Sequence, residues 1–322
     1  MATSGFSAQQ LGDFRNAPYD KSSSVRYLIV IPLSPSIRSI RYVAKRALAP
    51  LFSTLGFGGI LYGFSSAGNF GWTDRRVLLS LVVGVIALTI FITRQFTLRQ
   101  PILEFRVFKN KLFTITMVIG IIGFIGLISA ETILPIYMQN MAGFTPLESG
   151  LMLLPGALLM GIMSPINGRI FDRFGARYLV ITGLFLLTVT SLLYTNLSSD
   201  TSFIYLTIVF AIRMFGISMV MMPSTTAGLN QLSYRLIPHG SAMTNTMRQV
   251  AASIGTALLI TIMTVTDLDP GQQTTAQAQI HGVNLAFYVA TGISFVGLIL
   301  AFFVKDQSSK DIKEKLVEQQ EA

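Results

Sequence analysis

The chain has 322 residues, 24 Lys and Arg against 15 Asp and Glu, and a formal net charge of +9. Charged residues are 12% and apolar residues 51%, about half the roughly 25% charge of a soluble globular protein, so a soluble body and a disordered chain are both excluded. The absence of Cys removes disulfide, thiolate-metal and cysteine-nucleophile chemistry, and two histidines, His239 and His281, make a histidine metal site unfavourable.

In chain order, residues 1–46 are polar and basic with Pro32 and Pro35, and no fold is assigned to them. No cleavable signal peptide is visible, because Met1–Asp20 is polar and Tyr27–Leu33 is a short apolar run. Eight stretches then approach the ~20 apolar residues that a helix needs to cross hydrocarbon. They are Leu48–Ala67, Val77–Phe96, Leu112–Asn140, Leu147–Ile170, Tyr178–Leu197, Phe203–Leu229, Ser241–Thr266 and Val283–Val304. Interior residues such as Gly120, Gly123, Gly126, Pro135, Pro155, Pro165 and Pro223 are tolerated in lipid, where neighbouring helices re-satisfy the freed backbone groups. The fold class expected is therefore an all-α polytopic membrane protein of about eight transmembrane helices. Residues 47–96 form a two-helix linker hairpin. Residues 97–111, the end of the basic stretch Arg94–Lys111, lie along the inner membrane face. Residues 112–304 form a six-helix bundle, and 305–322 a charged cytoplasmic tail.

Lys and Arg positions orient the spans. With the N-terminus inside, the inner segments hold twenty of them and the outer loops only Arg75 and Arg76, while Arg213 and Arg248 fall inside spans. The first 46 residues weigh little in this rule, and without them the split is still thirteen to two. Both termini are expected in the cytoplasm.

The sharpest local pattern joins the second and third spans of the six-helix unit: Gly168-Arg169-Ile170-Phe171-Asp172-Arg173-Phe174-Gly175-Ala176-Arg177. Gly168 would let a neighbouring helix approach, Asp172 would accept from a helix N-terminus, Gly175 would permit a tight turn, and the arginines could reach lipid phosphates or an acid. The pattern resembles the major facilitator superfamily loop signature G-x-x-x-D-R-x-G-R-R, matching at Gly168, Asp172, Arg173, Gly175 and Arg177 and departing at Ala176, usually basic. The fourth span carries Arg213-Met214-Phe215-Gly216, a partial match to that family's R-x-x-x-G pattern, with the glycine one residue early. Gly240–Met243 and Ala251–Gly255 are similar to the small-residue fifth helix of its exporters. The hairpin, Pro101–Thr114, and Ala130–Gln139 with Arg213–Pro223 look most like the fourteen-helix drug:proton antiporters of the bacterial lincomycin-resistance type. The resemblance covers roughly Leu51–Val304. It implies a truncated C-terminal half of an exporter, with the N-terminal six-helix bundle absent from this chain.

Charges inside spans give a reading independent of family. Each costs ~2.5–3.5 kcal/mol at a helix centre, so each needs a partner, water or a function. Away from the span ends, Glu131, Arg213 and Arg248 are the three, on the first, fourth and fifth spans of the six. At ~1.5 Å per residue, Arg213 lies ~15 Å from Phe203 and Arg248 ~14 Å from His239 on the inner side. Glu131 is the single acid away from the ends of a span, and serves either as a proton carrier or as a structural pin. Arg213 either tunes and gates or bonds structurally, and Arg248 reads foremost as structural. Asn245 and Gln249 share a helix face with Arg248 at i, i+3 and i+4, lining a polar cavity or bonding between helices. Met214, Met219, Met221 and Met222, with Phe210 and Phe215, offer either a soft ligand surface or plain packing. Glu104 and Glu148 read as solvated interfacial acids, and His239 as an ordinary interfacial histidine.

No nucleotide-binding Gly-Lys-Ser/Thr loop, nucleophile–base constellation or carboxylate pair occurs, so the expectation is a transporter and not an enzyme, with no cofactor and no metal, driven by a proton gradient. Expected partners are the bilayer, small amphipathic drug-like substrates and protons, and a separate N-terminal six-helix half; no nucleic acid is expected. The expected location is a bacterial plasma membrane. The alternative is a non-transporting remnant or a membrane interaction subunit. A nutrient importer is weaker, since no sugar or carboxylate motif occurs.

Overall fold

The computed structural model describes residues 37–97, 104–265 and 275–304. The tail before residue 37, the tail after residue 304 and the part of the basic segment at 98–103 lie outside the described residues. The chain divides into two units, Met1–Leu48 and Ala49–Ala322. The described part of the first is helical from Ile37, where the sequence suggested no fold.

Eight α-helices are described: α1 Ile37–Phe70, α2 Arg75–Thr97, α3 Lys111–Asn140, α4 Pro146–Phe174, α5 Ala176–Leu193, α6 Phe203–Leu229, α7 Ile237–Val265 and α8 Thr275–Ala301. No strand occurs among the described residues. Seven of them, α2 to α8, are long and apolar enough to cross a membrane, and the eighth span read at Leu48–Ala67 falls on α1. The protein is an all-helical, multi-pass membrane protein.

In the hairpin, glycines let two backbones meet. A Cβ at Gly59 would sit 2.9 Å from the Gly84 Cα, and one at Gly84 2.7 Å from the Ile60 nitrogen. The outer side of α2 presents Leu78, Leu79, Val82, Val83, Val85 and Ile86, all exposed. A face of this kind is insoluble in water and matched to hydrocarbon. The hairpin is docked at both ends. Trp72 Nε1 donates to Thr261 Oγ1 of α7 at 2.8 Å. Toward the opposite end, Phe57, Leu88 and Phe91 share an apolar cluster with Phe113 and Met117 of α3 and Met243 of α7.

In the six-helix unit, α6 packs against α3, α4 and α5; α3 also touches α7 and α8, and α5 lies against α8. The helix backbones meet directly where α5 crosses α6: a Cβ at Gly183 would lie 2.5 Å from the Gly216 carbonyl oxygen. Helices continue through Pro135, Pro155, Pro165 and Pro223, as the membrane reading requires. Caps close the ends. Asn110 Oδ1 accepts from the Leu112 and Phe113 amides. Thr145 and Glu148 form a reciprocal capping box on α4, so Glu148 is a cap, a role its T-x-x-E spacing carries in the sequence. Of the six helices, α4 and α7 are the least covered by their neighbours.

Alternating helix directions put the chain at 104–111, 174–176 and 230–236 at one end of the bundle. Arg94, Arg106, Lys109, Lys111, Arg169, Arg173, Arg177 and Arg235 all lie at that end; among the described residues, the other end holds Arg75 and Arg76, at the start of α2.

Candidate functional site

Arg213 is fully buried on α6. Its Nη1 donates to Ser191 Oγ of α5 at 2.7 Å and its Nη2 to the Gly126 carbonyl of α3 at 2.8 Å. Ser191 in turn donates to the Leu187 carbonyl at 2.7 Å. The Nε is buried without an acceptor among the described residues. A planar guanidinium with divergent N–H groups can bridge two helices in this way; a point-like ammonium cannot. The geometry is that of a three-helix clamp.

Arg248 reaches from α7 toward α6. Its Nη2 donates to Thr225 Oγ1 and, at 3.4 Å, to the Met221 carbonyl, beside Pro223. Gly120 of α3 leaves it room, since a Cβ there would lie 3.3 Å from Nη2. Asn245 and Gln249, the expected face-mates, are exposed while Arg248 is half-buried. The structure thus separates the arginine, turned to the bundle interior, from the two amides on the open side of α7.

Glu131 is exposed, the one exposed position of α3 between Leu112 and Met138. It stands five residues after Gly126, a rotation of about 140° around the helix, so it faces away from the carbonyl that Arg213 holds. Along α3 it is eleven residues, ~16 Å, from Gly120 and hence from Arg248. The five candidates therefore occupy separate places: two arginine clamps inside, and Glu131, Asn245 and Gln249 on open faces.

The loop keeps its turn. Gly175 adopts φ 80° and ψ −178° and ends α4 with its amide on the Phe171 carbonyl at 2.8 Å. Only glycine occupies that region without strain. Gly175→Ala is expected to lower stability by about 1–3 kcal/mol, read as a drop in the thermal unfolding midpoint in detergent. Asp172, Arg169 and Arg173 are exposed, Arg177 is half-buried, and the Arg173 guanidinium lies 5.2 Å from the Phe174 ring centroid. Asp172 does not cap α5, whose first turn receives no side-chain bond. Near Gly168 the closest atom to an added Cβ is the flexible end of Met222, at 3.4 Å, so no helix crosses tightly there.

Several polar links had no distinct signal in the sequence. Asn167, fully buried on α4, donates to Ser218 Oγ of α6 at 2.9 Å. Asn284 of α8 holds both the amide and the carbonyl of Leu197, each at 3.0 Å. Single Ser and Asn residues inside apolar runs look alike until their partners are known. Of the methionines, Met214 is core with Phe210, filling the space beside Gly156, and Met222 is exposed.

Residues 56–256 match the model of the Major Facilitator Superfamily. The chain belongs to this superfamily. It is 49% identical over 273 residues to the MFS-type transporter YcnB of Bacillus subtilis (strain 168), a match covering 85% of this chain and 58% of that one. It is 39% identical to the MFS-type transporter YhcA of the same organism, over 84% of this chain and 60% of that one. It is 40% identical to the lincomycin resistance protein LmrB of Listeria monocytogenes, over 80% of this chain and 56% of that one. The chain thus spans 56–60% of the length of these curated relatives. The superfamily is one of transporters rather than enzymes, in agreement with the sequence reading.

Proposed function

We propose that this chain supplies a six-helix translocation bundle to a proton-coupled exporter of small amphipathic drug-like molecules. One observation carries this reading: Glu131, Asn245 and Gln249 are exposed on membrane-spanning helices, about 14, 12 and 18 Å from their helix ends. Hydrocarbon does not accept a carboxylate or two amides at that depth, so these faces line water, a substrate path or another protein. A relative named for lincomycin resistance supports a drug-like substrate.

Transport follows an alternating-access scheme, in which two bundles rock about a midplane site. The second bundle would lie against α4 and α7, whose faces are the least covered. Energy comes from the proton gradient, and Glu131 carries the proton: a carboxylate that alternates between water and a closed cavity changes its proton affinity. The bilayer is a bacterial plasma membrane, with the basic end of the bundle and both termini on the cytoplasmic side.

The test is dye efflux in cells making this chain, alone and with the N-terminal six-helix bundle of a relative, with and without a proton ionophore. Ionophore-sensitive efflux is expected in the paired cells. No efflux in either case overturns the transport reading and leaves the non-transporting one. In the active pairing, Glu131→Gln is expected to abolish acceleration by a pH gradient while substrate exchange continues. Unchanged acceleration removes Glu131 as the carrier.

A further inference from the structure

The turn before α3 and the turn before α7 are locked together at the basic end of the bundle. Asn110 Nδ2 donates to the Gln231 carbonyl at 2.9 Å, and Thr114 Oγ1 donates to the Phe108 carbonyl at 3.1 Å. Val107 is fully buried, in one cluster with Phe105, Phe108, Leu232, Leu236 and Ile237. Ring contacts run Phe96 to Phe105 at 5.4 Å, Phe105 to Phe108 at 6.4 Å and Phe108 to Phe113 at 6.3 Å. The junction is a packed platform.

The platform carries cations in excess. Lys109 and Lys111 flank Asn110, and Arg235 stands four residues after Gln231; all three are exposed. Arg106 is paired with Glu104 at 3.1 Å. Among the described residues no acid pairs with Lys109, Lys111 or Arg235. Two exposed aromatics, Phe96 and Tyr234 (70% and 81% exposed), accompany them. Aromatic rings and bases at a helix end are the chemistry of the membrane–water boundary.

We propose that Lys109, Lys111 and Arg235 form a binding site for the phosphate headgroup of an anionic phospholipid, where the turn before α3 meets the turn before α7. The bound headgroup neutralises three exposed like charges carried by the two turns that the Asn110–Gln231 bond joins. It ties the starts of α3 and α7, the helices that carry Glu131, Asn245 and Gln249. The site does not depend on the transport reading.

The test is lipid titration of the full chain in detergent, read by native mass spectrometry, with phosphatidylglycerol against phosphatidylcholine. Phosphatidylglycerol is expected to bind preferentially. The triple variant Lys109→Gln, Lys111→Gln, Arg235→Gln is expected to bind it about 100-fold more weakly, since each base near an anionic headgroup contributes about fivefold. A variant with equal charge loss at the same end, Arg169→Gln, Arg173→Gln, Arg177→Gln, is expected to keep the tight site. Equal weakening in both variants, or none in the first, overturns the site. Inorganic phosphate that binds alone as tightly as the lipid overturns the lipid assignment. If the triple variant does not fold, the single variants decide: about fivefold each is expected, and no change in any of them overturns the proposal. The charge-keeping Lys109→Arg and Lys111→Arg are expected to bind normally.

Discussion

Arg213→Lys is expected to destabilise the chain by about 1.5–3 kcal/mol, the loss of one charge-assisted hydrogen bond with the charge left buried. The guanidinium holds Ser191 and the Gly126 carbonyl with two different nitrogens. One ammonium can hold one of them well, and three donors on a single atom do not span the gap between α3 and α5. Arg213→Met is expected to be milder, because removing a buried charge also removes its desolvation cost. The order Lys below Met below wild type, in thermal unfolding in detergent, is the signature of a structural clamp. If Lys is tolerated and Met is not, the positive charge itself is needed, and the clamp account of Arg213 is wrong. Efflux in the paired cells adds a second readout: a well-folded Met variant that still exports confirms that the residue serves the fold.

Gly183→Ala is expected to cost about 1–3 kcal/mol by overpacking, whereas Gly161→Ala is expected to be neutral or to gain about 0.5–1 kcal/mol from the smaller entropy loss of alanine in a helix. Both are helical glycines in apolar spans. At Gly183 the added carbon would lie 2.5 Å from the Gly216 carbonyl oxygen, backbone that cannot yield without parting α5 from α6. At Gly161 nothing lies within 4 Å. Unfolding midpoints of the two variants, measured side by side, check the contrast. Equal effects would mean that the α5–α6 crossing is looser than the structure shows. Gly161→Ala has a further use, because α4 is one of the two least covered helices. A variant neutral in the isolated chain but inactive in the paired transporter would place the second bundle against that face.

The sequence also showed where the loop turns. Gly175 stands out because its spacing with Asp172 and Arg177 matches a family signature, and the positive φ at Gly175 explains why that position takes glycine. The capping box at Thr145 and Glu148 has the same local character, since it depends on residues three apart, although the sequence reading took Glu148 only as a solvated interfacial acid. A feature made by near neighbours along one chain is written in their order and spacing. Glu131, Arg213 and Arg248 were visible as charges inside spans for a related reason: hydrocarbon makes them expensive wherever they point.

By itself, the sequence determined that this is a multi-pass helical membrane protein, roughly where its apolar spans lie after residue 47, and which end is basic, because the bilayer penalises charge and unpaired backbone in every tertiary arrangement. Only the tertiary structure decided which charges are clamps and which face an open side. Helical spacing groups Arg248 with Asn245 and Gln249, yet Thr225 and the Met221 carbonyl draw the arginine to the interior. It alone distinguished Gly183, pressed on a backbone, from Gly161 in open space. Those distinctions depend on atoms far apart in the chain, and a one-dimensional pattern carries no distance between them.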